Sequence, residues 1–118
     1  MSTKAIHKKS VKSLPPKELL EMVTDIFRTL GDMTRAKILY SLQKSEMSVK
    51  ALSELTGVSQ SGVSHQLSYL RKLKFVKTRK DGNVVFYTLR YKHLSVMLKE
   101  VEYYVEHVKR NLPDHTYT

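Results

Sequence analysis

Between Ala51 and Leu67 two short helical patterns flank a single glycine, and this segment constrains the fold more than any other. Gly57 supplies the positive-φ residue that ends the first helix, and Ser59 is a natural cap for the second. Leu52, Leu55, Val63 and Leu67 are spaced to pack the two helices together. Gln60, Ser61, Ser64, His65 and Ser68 occupy the opposite surface. Short donor–acceptor side chains of this kind read base edges when a helix enters the major groove. An ordinary solvated face has the same composition, so the segment alone leaves both readings open.

The charge that follows decides between them. Arg71, Lys72, Lys74, Lys77, Arg79 and Lys80 put six cations into ten residues. A solvated face mixes its charges, whereas a run of one sign repels itself unless it meets phosphate. The whole chain leans the same way, with 21 Lys and Arg against 11 Asp and Glu for a formal charge of +10. Double-stranded DNA is the expected partner, and no membrane partner is expected.

The surrounding pattern supplies the rest of a fold. Pro15 and Pro16 precede a helix over Lys17 to Leu30, in which Leu19, Leu20, Val23, Ile26, Phe27 and Leu30 recur at helical spacing. Gly31 stops it, and Asp32 can cap a second helix from Met33 to about Leu42. Helices over Val49 to Thr56 and Gln60 to Leu73 form the glycine-hinged pair. The period then falls to two, with β-rich runs at Phe75–Thr78 and Val84–Thr88 around Lys80-Asp81-Gly82-Asn83, a hairpin signal. Arg79, Lys80 and Asn83 at its tip suit a wing reaching the adjacent groove and backbone. A last helix runs from His93 to Asn111, with Pro113 closing it. The expected fold is mainly α with a small β-hairpin: a winged helix-turn-helix of five helices and a two-stranded wing. Residues 1–14, with Lys4, Lys8, Lys9 and Lys12, read as a basic arm, residues 15–112 as the domain, and 113–118 as a tail.

Several functions are excluded or disfavoured. The chain has no Cys, which removes disulfides, thiolate metal sites and cysteine catalysis. No apolar run approaches the roughly 18–20 residues needed to span a bilayer, and no signal peptide follows Met1, so a cytoplasmic protein is expected. His65 has no nucleophile–acid pair arranged around it, and no phosphate-binding glycine loop is present, so no enzyme is expected. Gly62, inside a helix at about 1 kcal/mol relative to Ala, is either room for a DNA backbone or simply tolerated.

Two runs resemble a known family. Phe27-Arg28-Thr29-Leu30-Gly31-Asp32-Met33-Thr34-Arg35-Ala36-Lys37-Ile38-Leu39 is similar to a signature of the ArsR/SmtB metalloregulatory repressors. Ser59-Gln60-Ser61-Gly62-Val63-Ser64-His65-Gln66-Leu67 resembles that family's recognition helix. The likeness covers about residues 20–110 and is nearest the branch that senses zinc on the last helix. It implies a homodimeric winged-helix repressor that releases operator DNA when an inducer, often a metal ion, binds. It also implies that Gln60, Ser61, Val63, Ser64 and His65 face the DNA.

The sequence departs from the family at both sensor positions. Where one family site carries two Cys, this chain has Ser48 and Lys50, which removes soft-metal sensing there. The other site takes its ligands from the last helix, and the matching positions are Tyr91, His93, Tyr104 and His107. His93 and His107 lie fourteen residues apart, about 21 Å along one helix, so they cannot share an ion within a chain. Two imidazoles without a carboxylate make at most a weak zinc or nickel site, unless His7, Asp114 or His115 in the tails supply the missing ligands.

The expected function is a sequence-specific repressor on a palindromic operator, with the inducer unassigned. The alternatives are a metal-responsive derepressor with a rebuilt last-helix site and a non-specific architectural DNA binder. Dimerisation is expected through Leu19 and Val23 on the first helix and Leu94, Leu98, Val101 and Val105 on the last, where the spacing is that of a coiled coil.

Overall fold

The computed structural model describes residues 13–110. Residues 1–12, which make up nearly all of the basic arm, and residues 111–118, which include the whole tail, lie outside them, as do His7, Leu112, Asp114 and His115. The chain divides into two units, Met1–Met33 and Thr34–Thr118.

The first unit holds helix α1, Lys17–Leu30. Pro16 sits at its N-cap with φ −52° and ψ 146°, and its carbonyl accepts from the Leu20 N–H at 2.9 Å. At the other end the Gly31 N–H returns to the carbonyls of Phe27 and Arg28, at 3.0 and 3.3 Å. Asp25 accepts from Arg28 at 2.6 Å along the helix surface. Leu19, Met22, Ile26 and Phe27 are exposed, and Val23 is half-buried.

The second unit contains almost all of α2 (Met33–Lys44), then β1 (Met47–Ser48), α3 (Val49–Thr56), α4 (Gln60–Lys72), β2 (Val76–Asp81), β3 (Val84–Leu89) and α5 (Lys92–Arg110). Its core is Ile38, Leu39 and Leu42 of α2, Leu52 of α3, Val63, Leu67 and Leu70 of α4, Phe75 and Val76, and Leu94 and Leu98 of α5. Leu52 is fully buried but Leu55, expected beside it, is 63% exposed, because α3 ends one residue later and leaves it on the rim.

Serine caps and a left-handed glycine set the hinge of the helix pair. Ser48 Oγ accepts from the Ala51 N–H at 3.1 Å, and Ser59 Oγ accepts from the Gly62 N–H at 3.1 Å. Gly57, at φ 78°, closes α3 with its N–H on the Ser53 carbonyl at 3.0 Å. A Cβ on Gly62 would stand 3.0 Å from both Ser59 Oγ and Val58 Cγ1, so this glycine leaves room for its own chain's cap.

The end of α4 is less ordinary. The Phe75 N–H bonds to the Leu70 carbonyl at 2.9 Å and the Lys74 N–H to that of Arg71 at 3.0 Å. These two bonds form a Schellman motif, and its left-handed position is filled by Lys74 at φ 63° rather than by glycine.

The wing differs from the expected two strands. Among the described residues it is part of a three-stranded antiparallel sheet ordered β1-β3-β2, because Met47 and Ser48 pair with Tyr87 and Phe86. Strands β2 and β3 pair from Val76↔Leu89 to Asp81↔Val84, leaving Gly82 and Asn83 as a two-residue turn with Gly82 at φ 62°. The first turn position is therefore one that favours glycine.

Helix α5 is tied to α2 through its N-terminal half. Tyr40 Oη donates to the Leu98 carbonyl at 2.7 Å, and Gln43 Nε2 donates to that of Ser95 at 3.2 Å. Burial and the charge of Glu102 raise the Tyr40 pKa, which keeps its hydroxyl a donor. Leu94 and Leu98, expected in a dimer interface, are instead 6% and 4% exposed within one chain. Their periodicity is that of the exposed Val101, Val105 and Val108, but the domain's own core covers them first.

Candidate nucleic-acid interface

Helix α4 divides cleanly between two environments. Val63, Leu67 and Leu70 turn inward and are fully buried, while Gln60, Ser61, Ser64, His65 and Ser68 are exposed along the opposite side. Val63, expected against DNA, is corrected by this burial. At 0% exposure it packs the core and has no surface to offer a base. The five exposed side chains form a continuous polar stripe with donors and acceptors at helical spacing, the chemistry that matches base edges. Ser61 Oγ lies 3.3 Å from Ser59 Oγ, so the first of the serines is oriented by the cap.

Gln66, between stripe and core, is half-buried and already engaged. Its Oε1 accepts from Arg35 Nε at 2.9 Å, and the Arg35 guanidinium stands 4.2 Å from the centroid of the Tyr69 ring. Sequence reasoning missed Arg35 and Tyr69 because their relationship spans more than thirty residues and leaves no periodic trace.

Arg71 and Lys72 are exposed at the C-terminal end of α4, where cations also favour the negative end of the helix dipole. Lys80 and Asn83 are exposed at the wing tip. Arg79 is placed differently from expectation. It forms an ion pair with Glu46 and lies over the Phe86 ring, with Asp81 at 3.8 Å. The hydrogen bond from Arg79 holds the Glu46 carboxyl below the usual carboxylate range, and Glu46 in turn raises the Arg79 guanidinium.

Within one chain, the residues matching the sensor positions of the resembled family fall at separate places in the fold. Ser48 spends its hydroxyl on the α3 cap, and Lys50 is exposed. Tyr91 stacks on His93 with ring centroids 5.4 Å apart and planes 9° from parallel. Arg90 approaches the same phenol, and its hydrogen bond lowers the Tyr91 pKa. His107 and Tyr104 belong to the far half of α5. Among the described residues no three of His, Asp or Glu converge as a metal would require. Two imidazoles and two phenols are a poor donor set for zinc, which takes four N, S or carboxylate ligands.

Among the described residues, no helix is long and apolar enough to cross a membrane. Residues 32–78 match the profile of the bacterial regulatory protein arsR family. The chain is 36% identical over 100 residues to the HTH-type transcriptional regulator KmtR of Mycobacterium tuberculosis, covering 85% of this chain and 77% of that protein. It is 31% identical over 100 residues to the transcriptional repressor SmtB homolog of Synechocystis, covering 81% and 76%. The solution structure of the homodimeric winged helix-turn-helix DNA-binding domain of Mb0332 from Mycobacterium bovis superposes with a TM-score of 0.73, at 21% identity over 91% of this chain and 95% of that one. The hinged helix pair and the wing are thus those of a shared architecture, and the chain belongs to the arsR family of winged helix-turn-helix, DNA-binding transcriptional regulators.

Proposed function

We propose that the chain is a dimeric, sequence-specific repressor that reads a palindromic operator with α4. The observation that carries this reading is the exposed stripe Gln60, Ser61, Ser64, His65 and Ser68, followed directly by cations of a single sign. The stripe supplies base-edge chemistry, and Arg71, Lys72, Lys80 and Asn83 supply backbone contacts. Two copies related by a two-fold axis present two such helices to successive major grooves, as palindromic operators require. The exposed Val101, Val105 and Val108 on α5 offer apolar surface to a second copy, and within the first unit so do exposed Leu19 and half-buried Val23 on α1. A relative named as a transcriptional repressor supports the same assignment.

Selection from a random duplex pool tests it. The wild-type protein should enrich a sequence with two-fold symmetry. Replacing Ser64 and His65 with Ala should relax that preference, at about 1–3 kcal/mol per lost base contact. The formal charge of +10 favours one other reading, a non-specific architectural DNA binder. A pool that enriches no sequence while binding stays strongly salt-dependent would establish that reading instead.

A further inference from the structure

Alternation along β2 turns Val76 into the core, and Lys77, Arg79 and Asp81 therefore face the other way. Arg79 stands directly opposite Phe86 on β3, which stands opposite Ser48 on β1. The guanidinium crosses the middle strand, 4.9 Å from the Phe86 ring centroid, and reaches Glu46 just before β1. There Nε donates to Oε2 at 3.1 Å and an Nη donates to Oε1 at 2.5 Å. One side chain thus ties the outer strand of the wing to the segment that enters the helix-turn-helix pair.

We propose that Arg79 is a positioning residue, clamping the wing through Glu46, and that Lys80 on the opposite face makes the wing's phosphate contact. The proposal rests on the DNA-binding reading and adds a division of labour within it. Two of the five guanidinium N–H donors of Arg79 are committed to Glu46, and a phosphate taking that fork would have to displace two charge-assisted hydrogen bonds of matched geometry. Lys80 is exposed and carries a compact charge that suits a phosphate without a matched fork. A two-stranded hairpin is marginal alone, and β1 contributes only two residues, so a tie across all three strands sets the angle of the wing.

Fluorescence anisotropy with the duplex selected by the wild-type protein separates the roles. Arg79→Lys keeps the charge and loses the fork, so it should weaken binding about three- to fivefold with an unchanged salt slope. Glu46→Gln should weaken binding to a similar degree, and the exchanged pair Glu46→Arg with Arg79→Glu should recover most of it. Lys80→Gln should flatten the slope by about one unit, the loss of one phosphate contact. If Arg79→Lys bound like wild type, or Glu46→Gln bound more tightly with a steeper slope, Arg79 would be a phosphate ligand and the clamp would be wrong. Amide hydrogen exchange supplies a readout without DNA. In the free protein, exchange at Arg79 and Phe86 should quicken in Glu46→Gln. Unchanged exchange would overturn the clamp, whereas a wild-type protein that bound no duplex would overturn the DNA-binding reading alone.

Discussion

The Arg35 guanidinium lies 4.2 Å from the centroid of the Tyr69 ring while its Nε donates to Gln66 Oε1 at 2.9 Å. Gln66 and Tyr69 are three residues apart on α4, so Arg35 grips one face of that helix from α2. The contact combines a charged hydrogen bond with a cation above an aromatic ring, each of the order of 1 kcal/mol in a half-exposed setting. Arg35→Ala should therefore destabilise the protein by about 1–2 kcal/mol. Arg35→Lys should recover only part of this, because an ammonium cannot both stack and donate in the ring plane. Urea midpoints, with a double-mutant cycle against Tyr69→Leu, measure it. A coupling indistinguishable from zero would show that the two side chains are merely adjacent.

Lys74 holds the left-handed position of a Schellman motif, where a side chain costs roughly 1–2 kcal/mol relative to glycine's free access. Glycine gives back part of that gain through its looser unfolded chain. Lys74→Gly should still stabilise the protein by about 0.5–1 kcal/mol. Lys74→Ala keeps the strain and removes only the charge, so it should leave the urea midpoint nearly unchanged. Equal midpoints for the two variants would mean that the backbone there carries no strain. If the lysine is retained for DNA, Lys74→Gly will be the more stable protein and the weaker binder.

Val101 is 50% exposed on α5, whereas Leu98, one turn earlier, is 4% exposed. That difference predicts two distinct failures from similar substitutions. Leu98→Ala should cost about 2–5 kcal/mol by opening a core cavity. Val101→Glu should leave the fold of one chain intact and set like charges against each other across a two-fold axis, giving monomers. Sedimentation velocity and thermal melting, run on both, decide it. A wild-type protein of monomeric mass at micromolar concentration would end the dimer assignment.

These contrasts also mark what can be read from sequence here. The limits of α1 were legible because Pro15, Pro16 and Gly31 punctuate them, and those of α3 because Gly57 can adopt only one role at its end. Strand β1 was not, since two residues carry no periodicity. Leu94, Leu98, Val101 and Val105 share one spacing, and spacing identifies a face without saying whether the core or a partner covers it. Val63 repeats the lesson within α4: the residue between two stripe positions is the one that packs inward. The Arg79–Glu46 pair joins residues 33 apart, so a cation that looked free in the sequence proves to be held.

Metal binding is the sharpest remaining test. Tyr91 stands where the family's helical site would offer a carboxylate, and its ring is already stacked on His93. Tyr104 stands where a second imidazole would, and a phenol is a poor replacement for an imidazole as a zinc ligand. A site that retains two imidazoles out of four donors should bind far more weakly than an intact tetrahedral one, because each missing ligand also leaves its share of the ion's hydration shell unreplaced. Calorimetric titration of the full chain with zinc, and separately with nickel, should accordingly show no stoichiometric binding at micromolar protein. His93→Ala and His107→Ala should leave the affinity for the selected duplex unchanged with or without added metal. Tight binding that disappears in both variants, together with release of DNA on metal addition, would mean that the two phenols or groups beyond residues 13–110 rebuild the coordination shell.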